Sequence, residues 1–146
     1  MIKQADLQDA SAVAALASEL WPNHEPRELE REMIPLLRGQ DAAIFLYMQT
    51  QTPVAFAQCQ LRRDYVEGTE SSPVGYLEGI YVRQAYRKQG IARKLLAACE
   101  SWAEEKGCLE FASDCEITNE ESLCFHLNVG FLEANRIICF TKKLKS

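Results

Sequence analysis

The stretch from Val74 to Lys106 limits the fold of this chain more than any other part. It begins with VGYLEGIYV, which is rich in strand-forming residues, and continues into the polar, basic loop RQAYRKQG. Apolar residues then recur at three- and four-residue steps, which predicts a helix with one face packed on a sheet. These residues are Ile91, Leu95, Ala98 and Trp102, and Gly107 ends the helix. A strand that leads through a loop into such a helix is typical of a domain in which helices cover a sheet.

The segments before this stretch predict two helices and a hairpin. Helical periodicity runs from Asp6 to Leu20, and a second helix is expected from Pro26 to Gly39, kinked or shortened at Pro35. Two runs of strand formers, Ala42 to Gln49 and Pro53 to Arg63, flank a short polar turn and predict an antiparallel pair.

The segments after it predict a short buried strand, a helix and a final pair of strands. Their expected limits are Cys108 to Asp114, Asn119 to Gly130 and Phe131 to Leu144. Together the elements predict an α+β fold, a three-layer α/β/α arrangement whose mixed, mostly antiparallel sheet carries helices on both faces.

Length and composition favour one ordinary globular domain over residues 1–146. The chain has 146 residues, of which 47% are hydrophobic and 25% charged. The first residues lack the apolar run of a signal peptide, and no stretch approaches the ~18 apolar residues that cross a bilayer. We therefore expect a cytoplasmic protein without a membrane partner.

Charge and cysteine usage narrow the classes of partner. The net charge of −5 argues against nucleic-acid binding, which depends on basic residues that neutralise phosphates, and favours a small cationic partner. The six cysteines form no C-x-x-C pair and the two histidines lie far apart, so we expect reduced thiols and no structural metal.

The loop between the strand and the helix has the features of an anion site. Unpaired amide groups and the positive end of the helix dipole meet there, Gly90 and Ala92 let an anion approach the backbone, and the neighbouring side chains are basic. The basic side chains are Arg87, Lys88, Arg93 and Lys94. Neither GxGxxG nor GK[ST] is present. The alternative interpretation is a solvated basic turn.

Two motifs in this order resemble those of the GCN5-related N-acetyltransferase (GNAT) family. Its coenzyme A loop, [RQ]-x-x-G-x-[GA], is matched by Arg87, Gly90 and Ala92. Its second motif, an asparagine followed by a short helix ending in GF, is matched by Asn119 and by Phe125, Gly130 and Phe131. The resemblance covers nearly the whole chain and implies a GNAT-like fold that binds acetyl-CoA as a co-substrate.

Three further segments resemble the aminoglycoside 6′-N-acetyltransferases of that family. They are LWPNH, RRDYVEGTESSPVGYLEGIYV and KGCLEFASD. The resemblance implies acetylation of a cationic aminoglycoside, which confers antibiotic resistance, and a homodimer, because relatives pair through C-terminal strands. The implied substrate-binding residues are Trp21, His24, Tyr65, Glu78, Asp114 and Asn135. The implied acetyl-CoA-binding residues are Ile80, Tyr81, Val82, Arg87, Lys88, Gln89, Gly90, Ile91, Ala92, Arg93 and Asn119. Asn135 departs from the carboxylate found in some relatives, which weakens one anchor for a cation.

Direct attack of an amine on a thioester requires positioning, a base and charge stabilisation, but no enzyme nucleophile. Glu78 is the candidate base, directly or through a water, and the alternative is an exposed strand carboxylate. Gly79 predicts a bulge or a close approach to the backbone, which frees an amide of Ile80 or Val82 for the thioester oxygen. His126 replaces a tyrosine that relatives offer as the acid, or is structural, and Tyr65 completes the candidate catalytic set.

Acidic and aromatic residues are expected around this centre. Glu78 and Asp114 lie on strands predicted to be neighbours, and the loop with Glu67 and Glu70 is expected to lean over them as an acidic cup, or else to be ordinary surface. Trp21 and Tyr65 are candidates for stacking on sugar rings, with plain core aromatics as the alternative.

Three functions remain open on the sequence. The first is 6′-N-acetylation of aminoglycosides, the second is the same reaction on another small amine or a protein N-terminus, and the third is an acyl-CoA sensor without activity.

Overall fold

The computed structural model describes residues 1–146, which divide into two compact units, Met1–Asp114 and Cys115–Ser146. The expectation of a single domain over the whole chain stays a prediction. No helix in the chain has the length and apolar character needed to cross a bilayer.

The first unit contains a five-stranded sheet and three α-helices. The strands are β1 (Ile2–Gln4), β2 (Ala42–Gln49), β3 (Thr52–Arg62), β4 (Val74–Val82) and β5 (Phe111–Ala112). The helices are α1 (Ala10–Leu20), α2 (Pro26–Arg38) and α3 (Ile91–Glu105), with 3-10 turns at Leu7–Asp9 and Gln84–Tyr86. The strands lie in the order β1-β2-β3-β4-β5, and every neighbouring pair is antiparallel except β4 and β5. The predicted α+β class with a mixed, mostly antiparallel sheet is confirmed.

Alternation along β3 shows that helices cover both faces of the sheet. Phe56 is fully buried in a cluster with residues of α1 and α2. Cys59, three residues further on, points to the opposite face, where its thiol donates to the Ala43 carbonyl at 3.6 Å. Interaction with the Cys59 thiol, followed by burial, raises the pKa of the Cys99 thiol on α3. All six cysteines are free.

Local signals explain where the first two helices begin and end. Asp6 and Asp9 form a reciprocal capping box at the 3-10 turn that leads into α1, as the acidic start of the segment suggested. Pro26 occupies the first turn of α2, where no amide donor is needed. Pro35 does not shorten α2, which continues to Arg38 before Gly39. The helix tolerates this proline near its end.

Strand predictions were accurate in the centre of the sheet and poor at its edges. The limits of β4 match the prediction, and β2 and β3 form the expected hairpin. The strand predicted from Cys108 to Asp114 is wrong in length, because β5 pairs with β4 only at Gly75 and Tyr76. The strand β1 was not predicted, since three residues are too few to show a pattern.

The second unit contains α4 (Glu120–Asn128), capped by the side chain of Asn119, which accepts a hydrogen bond from the Ser122 amide at 3.0 Å. The predicted strand pair from Phe131 to Leu144 is wrong, because no residue from 131 to 146 belongs to a strand. A strand needs a neighbour for its backbone hydrogen bonds, and strand-like composition alone supplies none. Apolar side chains of this tail, such as Ile138 and Phe140, are 80% and 86% exposed.

Gly75 is predicted to be essential for the packing of β4 against α3 and β5. A Cβ at this position would lie 2.7 Å from the Ala103 Cβ and 2.6 Å from the Phe111 ring. We expect Gly75→Ala to lower stability by about 1–3 kcal/mol, the usual effect of overpacking, and the melting temperature by roughly 3–10 °C. Thermal unfolding by circular dichroism measures this, with Ser101→Ala on the exposed side of α3 as the control. Equal melting temperatures for the two variants would contradict it.

Candidate active site

A β-bulge in β4 creates the centre of the site. Gln58 of β3 pairs with Gly79, and the next residue, Cys59, pairs with Leu77, so Glu78 is an extra residue in the ladder. A bulge re-aims the side chain that it carries. Here the Glu78 side chain meets Arg62, on the same face of the sheet to which a Cβ on Gly79 would point. The bulge expected from Gly79 is confirmed.

Gly79 also provides the close approach that the sequence suggested. A Cβ there would lie 2.8 Å from two atoms of the Trp21 indole ring, so only glycine lets this ring lie flush against the strand. Trp21 also packs edge-on against Phe56, with ring centroids 6.1 Å apart. The indole is therefore a fixed wall beside the bulge.

Trp21 and His24, both predicted to bind substrate, line one cavity of about 240 Å³ between α2 and β3. Its floor is apolar and includes Leu29 and Met33, while Glu32 contributes a carboxylate. Gln58 also lines it, and the Gln58 Oε1 atom is buried without a hydrogen-bond partner. A buried acceptor without a donor is unusual in a folded chain and marks a polar point in this wall.

Glu78 belongs to a charged cluster that we define as Arg62, Tyr76, Glu78 and Asp114. The Arg62 guanidinium donates to both oxygens of Glu78, at 3.0 Å from Nε and 2.7 Å from Nη2. It stacks on the Tyr76 ring, 3.4 Å from the ring centroid. The Tyr76 hydroxyl donates to Asp114 Oδ2. The two predicted carboxylates are therefore brought into one cluster.

Burial, together with the hydrogen bond to Asp114, raises the pKa of the Tyr76 hydroxyl. Tyr76 thus keeps its proton at neutral pH and acts as a donor to Asp114. The hydrogen bond to Glu78, opposed by burial, raises the pKa of Arg62. The charged cluster contains two carboxylates and one permanent cation.

Sequence reasoning missed Arg62, Tyr76 and Gln58. Tyr76 lies two residues before Glu78 in one strand, so the two-residue strand period offered a signal for a shared face. Arg62 and Gln58 lie on a different strand, and their relation to Glu78 depends on a register that the sequence does not reveal.

One edge of β4 is open next to the bulge. Beyond Tyr76 no strand pairs with β4 on the side away from β3. The Arg83 amide donates to the Val54 carbonyl, and amides of alternate residues point the same way along a strand, so those of Tyr81 and Gly79 also face β3. The amides of Ile80 and Val82 therefore face the open edge. These are the two predicted donors for a thioester oxygen.

The predicted anion loop connects this edge to α3. Gly90 has φ +79°, a left-handed conformation that favours glycine, and no side chain caps the first turn of α3. Lys88 is also left-handed, at φ +63°. The Arg87 Nε donates to the Val82 carbonyl at 2.8 Å, so this side chain fixes the loop to the end of β4. We call the open edge of β4, this loop and the first turn of α3 the donor track.

The other predicted residues of the first unit have diverse settings. Tyr65 is 77% exposed, although Val66 beside it is buried, and it does not reach the charged cluster through any described contact. The Tyr81 hydroxyl donates to Glu19 on α1 and the Tyr81 amide faces β3, so neither group faces the open edge of β4. Along the loop and first turn, Lys88, Gln89 and Arg93 are exposed, Ala92 is half-buried and Ile91 is buried.

Three predicted residues lie in the second unit. Asn119 caps α4, and the Asn135 side chain accepts a hydrogen bond from the Arg136 amide at 2.8 Å. The His126 Nδ1 lies 2.7 Å from the Ser122 carbonyl, within its own helix. No group of three or more His, Cys, Asp and Glu side chains is arranged to hold a metal ion.

Comparison with known proteins agrees with this geometry. Residues 10–131 match the model of the acetyltransferase (GNAT) family. An aminoglycoside N(6′)-acetyltransferase type 1 of Serratia marcescens is 40% identical over 145 residues, covering 99% of both chains.

Two solved structures are also close. AAC(6′)-Iy, in complex with the bisubstrate analogue CoA-S-monomethyl-acetylneamine, superposes with a TM-score of 0.94 and 35% identity over 98% of this chain and 97% of that one. The aminoglycoside 6′-N-acetyltransferase AAC(6′)-Ih of Acinetobacter baumannii gives a TM-score of 0.91 and 38% identity, with 99% of each chain covered. This chain therefore belongs to the GNAT family of acetyltransferases, within the group formed by the aminoglycoside 6′-N-acetyltransferases.

Proposed function

We propose that this protein transfers the acetyl group of acetyl-CoA to the 6′-amine of aminoglycoside antibiotics and so confers resistance to them. The observation that carries the proposal is the meeting of the donor track with the bulge at Glu78 and Gly79, beside Trp21 and the charged cluster. Relatives with this activity in their names match the chain over nearly its full length.

The donor track suits acetyl-CoA in two parts. The uncapped first turn of α3 and the left-handed Gly90 offer backbone amides to the diphosphate, assisted by the charges of Lys88 and Arg93. The open edge of β4 offers the amides of Ile80 and Val82 to the rest of the molecule, so the thioester ends next to the bulge. We propose Asn119 as a further contact of the cofactor.

The face beside the bulge suits a cationic acceptor. The Trp21 ring provides a rigid apolar plate for a sugar, and Glu78 and Asp114 provide negative charge for its ammonium groups. His24 shares the cavity with Trp21. We also propose that Tyr65 and Asn135 contact the acceptor. The ring of Tyr65 is exposed and is available for stacking.

The chemistry proposed is direct attack of the neutral amine on the thioester. Glu78 takes the proton of the acceptor ammonium, directly or through a water, and an amide of Ile80 or Val82 stabilises the charge that develops on the thioester oxygen. We propose that His126 donates a proton to the departing thiolate. Tyr65 is the third proposed catalytic residue, after Glu78 and His126.

We further propose that the enzyme acts in the cytoplasm, where acetyl-CoA is made.

We also propose that the enzyme is a homodimer. The support for a dimer lies in the tail after Gly130, whose exposed apolar side chains include Ile137, Ile138 and Phe140. An exposed apolar group of this size is typical of a surface that another chain covers.

Binding of coenzyme A is predicted to depend on Gly90. A Cβ at Gly90 meets nothing within 4 Å, but it forces a side chain into a left-handed position at the mouth of the anion site. We expect Gly90→Ala to raise the Kd for coenzyme A about tenfold in calorimetric titrations, equal to roughly 1.4 kcal/mol. The matched control is Gly107→Ala at the other end of α3, where φ is +89° and the space is equally open. A similar Kd for both variants would refute the anion site.

Turnover is predicted to depend on the Glu78 carboxylate. Glu78→Gln keeps the shape of the side chain but removes the base, so kcat should fall by roughly 10²- to 10⁴-fold while the Kd for coenzyme A stays unchanged. Release of the coenzyme A thiol, followed with a chromogenic reagent, measures this. Undiminished turnover would mean that Glu78 is not the base and would favour an anchoring role alone.

The regiochemistry can be tested with matched acceptors. Kanamycin and tobramycin offer a 6′-amine, and an analogue with a 6′-hydroxyl does not. We expect thiol release with the first two and a rate at least about 100-fold lower with the analogue, because a hydroxyl is not the nucleophile this site deprotonates. Equal rates with all three acceptors, or transfer to a polyamine or a peptide alone, would overturn the proposal.

A further inference from the structure

The charged cluster already contains a cation at the point where the proposed acceptor brings one. The guanidinium of Arg62 binds both oxygens of Glu78, in the parallel two-bond geometry that is the strongest form of an arginine–carboxylate pair. Glu78 is the carboxylate of the bulge and the nearest one to Gly79, where the donor track ends. Any ammonium group that binds Glu78 competes with Arg62.

Exposure shows which partner is able to leave. The Arg62 side chain is 39% exposed, whereas that of Glu78 is 16% exposed, so the arginine lies on the solvent side of the pair. Arg62 is the last residue of β3, and its guanidinium rests on the Tyr76 ring without any described hydrogen bond except those to Glu78. A long side chain held at one end by stacking and one ion pair can swing away without disturbing the sheet.

The net charge of the charged cluster also favours replacement of Arg62 by another cation. With Arg62 in place the cluster has a net charge of about −1, from Glu78, Asp114 and one guanidinium, and without it about −2. The pKa of Arg62 is raised, with the hydrogen bonds to Glu78 as the first cause and the charge of Asp114 as a smaller one, so both carboxylates attract the cation that only Glu78 binds. One ammonium group of a bound acceptor replaces the positive charge of Arg62, and a second one would neutralise the remaining negative charge of the cluster.

We propose that Arg62 is a specificity-determining residue that occupies the ammonium position beside Glu78 in the free enzyme, and that a cationic acceptor binds by displacing it. The inference rests on the proposed function, because it assigns the acceptor to this face of the sheet. Arg62 then lowers the affinity for every cation and selects acceptors that carry enough ammonium groups to compete.

The test is calorimetric titration of kanamycin into the full-length protein and its variants. Arg62→Met keeps an unbranched chain over Tyr76 and removes the charge, so the Kd for kanamycin should fall about two- to fivefold, the size of a partly exposed ion pair. The matched control is Arg63→Met. Arg63 is the next residue in the chain and forms an exposed ion pair with Asp41, so this substitution also removes one positive charge but leaves the Arg62–Glu78 pair in place. This control should leave the Kd close to that of the unmodified protein.

A second variant covers the case in which Arg62→Met folds poorly. Arg62→Lys keeps a positive charge but has no guanidinium fork to bind both oxygens of Glu78, so its Kd should lie between those of the unmodified protein and Arg62→Met. Weaker or unchanged binding of kanamycin by both Arg62 variants, or no binding by any form of the protein, overturns the inference and leaves Arg62 a structural support for Glu78.

Acetyl transfer measured in parallel separates this inference from the proposed function. If the unmodified protein transfers acetyl to kanamycin but the Arg62 variants do not bind it more tightly, only the inference fails. If no form transfers acetyl to any aminoglycoside but Arg62→Met still binds kanamycin more tightly, the proposed function fails and the competition by Arg62 stands.

Discussion

The extra residue in β4 opposite Gln58 is the constraint on which the site depends. Without it the strand would alternate regularly, and Glu78 and the Cα–H of Gly79 would point to opposite faces of the sheet. The bulge directs both towards α1, so that the Trp21 ring lies against the backbone of Gly79 while the adjacent carboxylate meets Arg62. The Trp21 ring thus contacts the strand one residue from the Glu78 carboxylate, on a half-buried part of β4.

The strand β4 is held in place by its pairing with β3 and by contacts at both of its ends. On one side it pairs with β3 along its whole length, and near its start Gly75 packs so tightly on α3 and β5 that no side chain fits. At its end Arg87 returns from the loop to the Val82 carbonyl, and Arg83 and Tyr81 both bond to Glu19 on α1. The geometry around Glu78 is therefore fixed from both ends, as an active site requires.

Sequence reasoning succeeded where a local pattern determined the structure. The limits of β4, the helix α3 and the special role of Gly79 followed from strand propensity, helical period and one glycine. It failed where the outcome depended on partners distant in sequence: the tail after Gly130 has strand composition but forms no strand, and β5 is limited to two paired residues. For the same reason the sequence offered Glu78 as a candidate but not Arg62, whose pairing with Glu78 depends on the register between two strands.

The two substrates are assigned to different parts of the same strand. In the proposed assignment the donor track uses backbone amides of β4, such as those of Ile80 and Val82, whereas the acceptor face uses side chains such as Trp21, Glu78 and Arg62. Point mutations exchange side chains and leave peptide groups in place. Selection by a new antibiotic can therefore rework the recognition of the acceptor while the grip on the acetyl donor persists, which makes this strand a durable platform for the evolution of resistance.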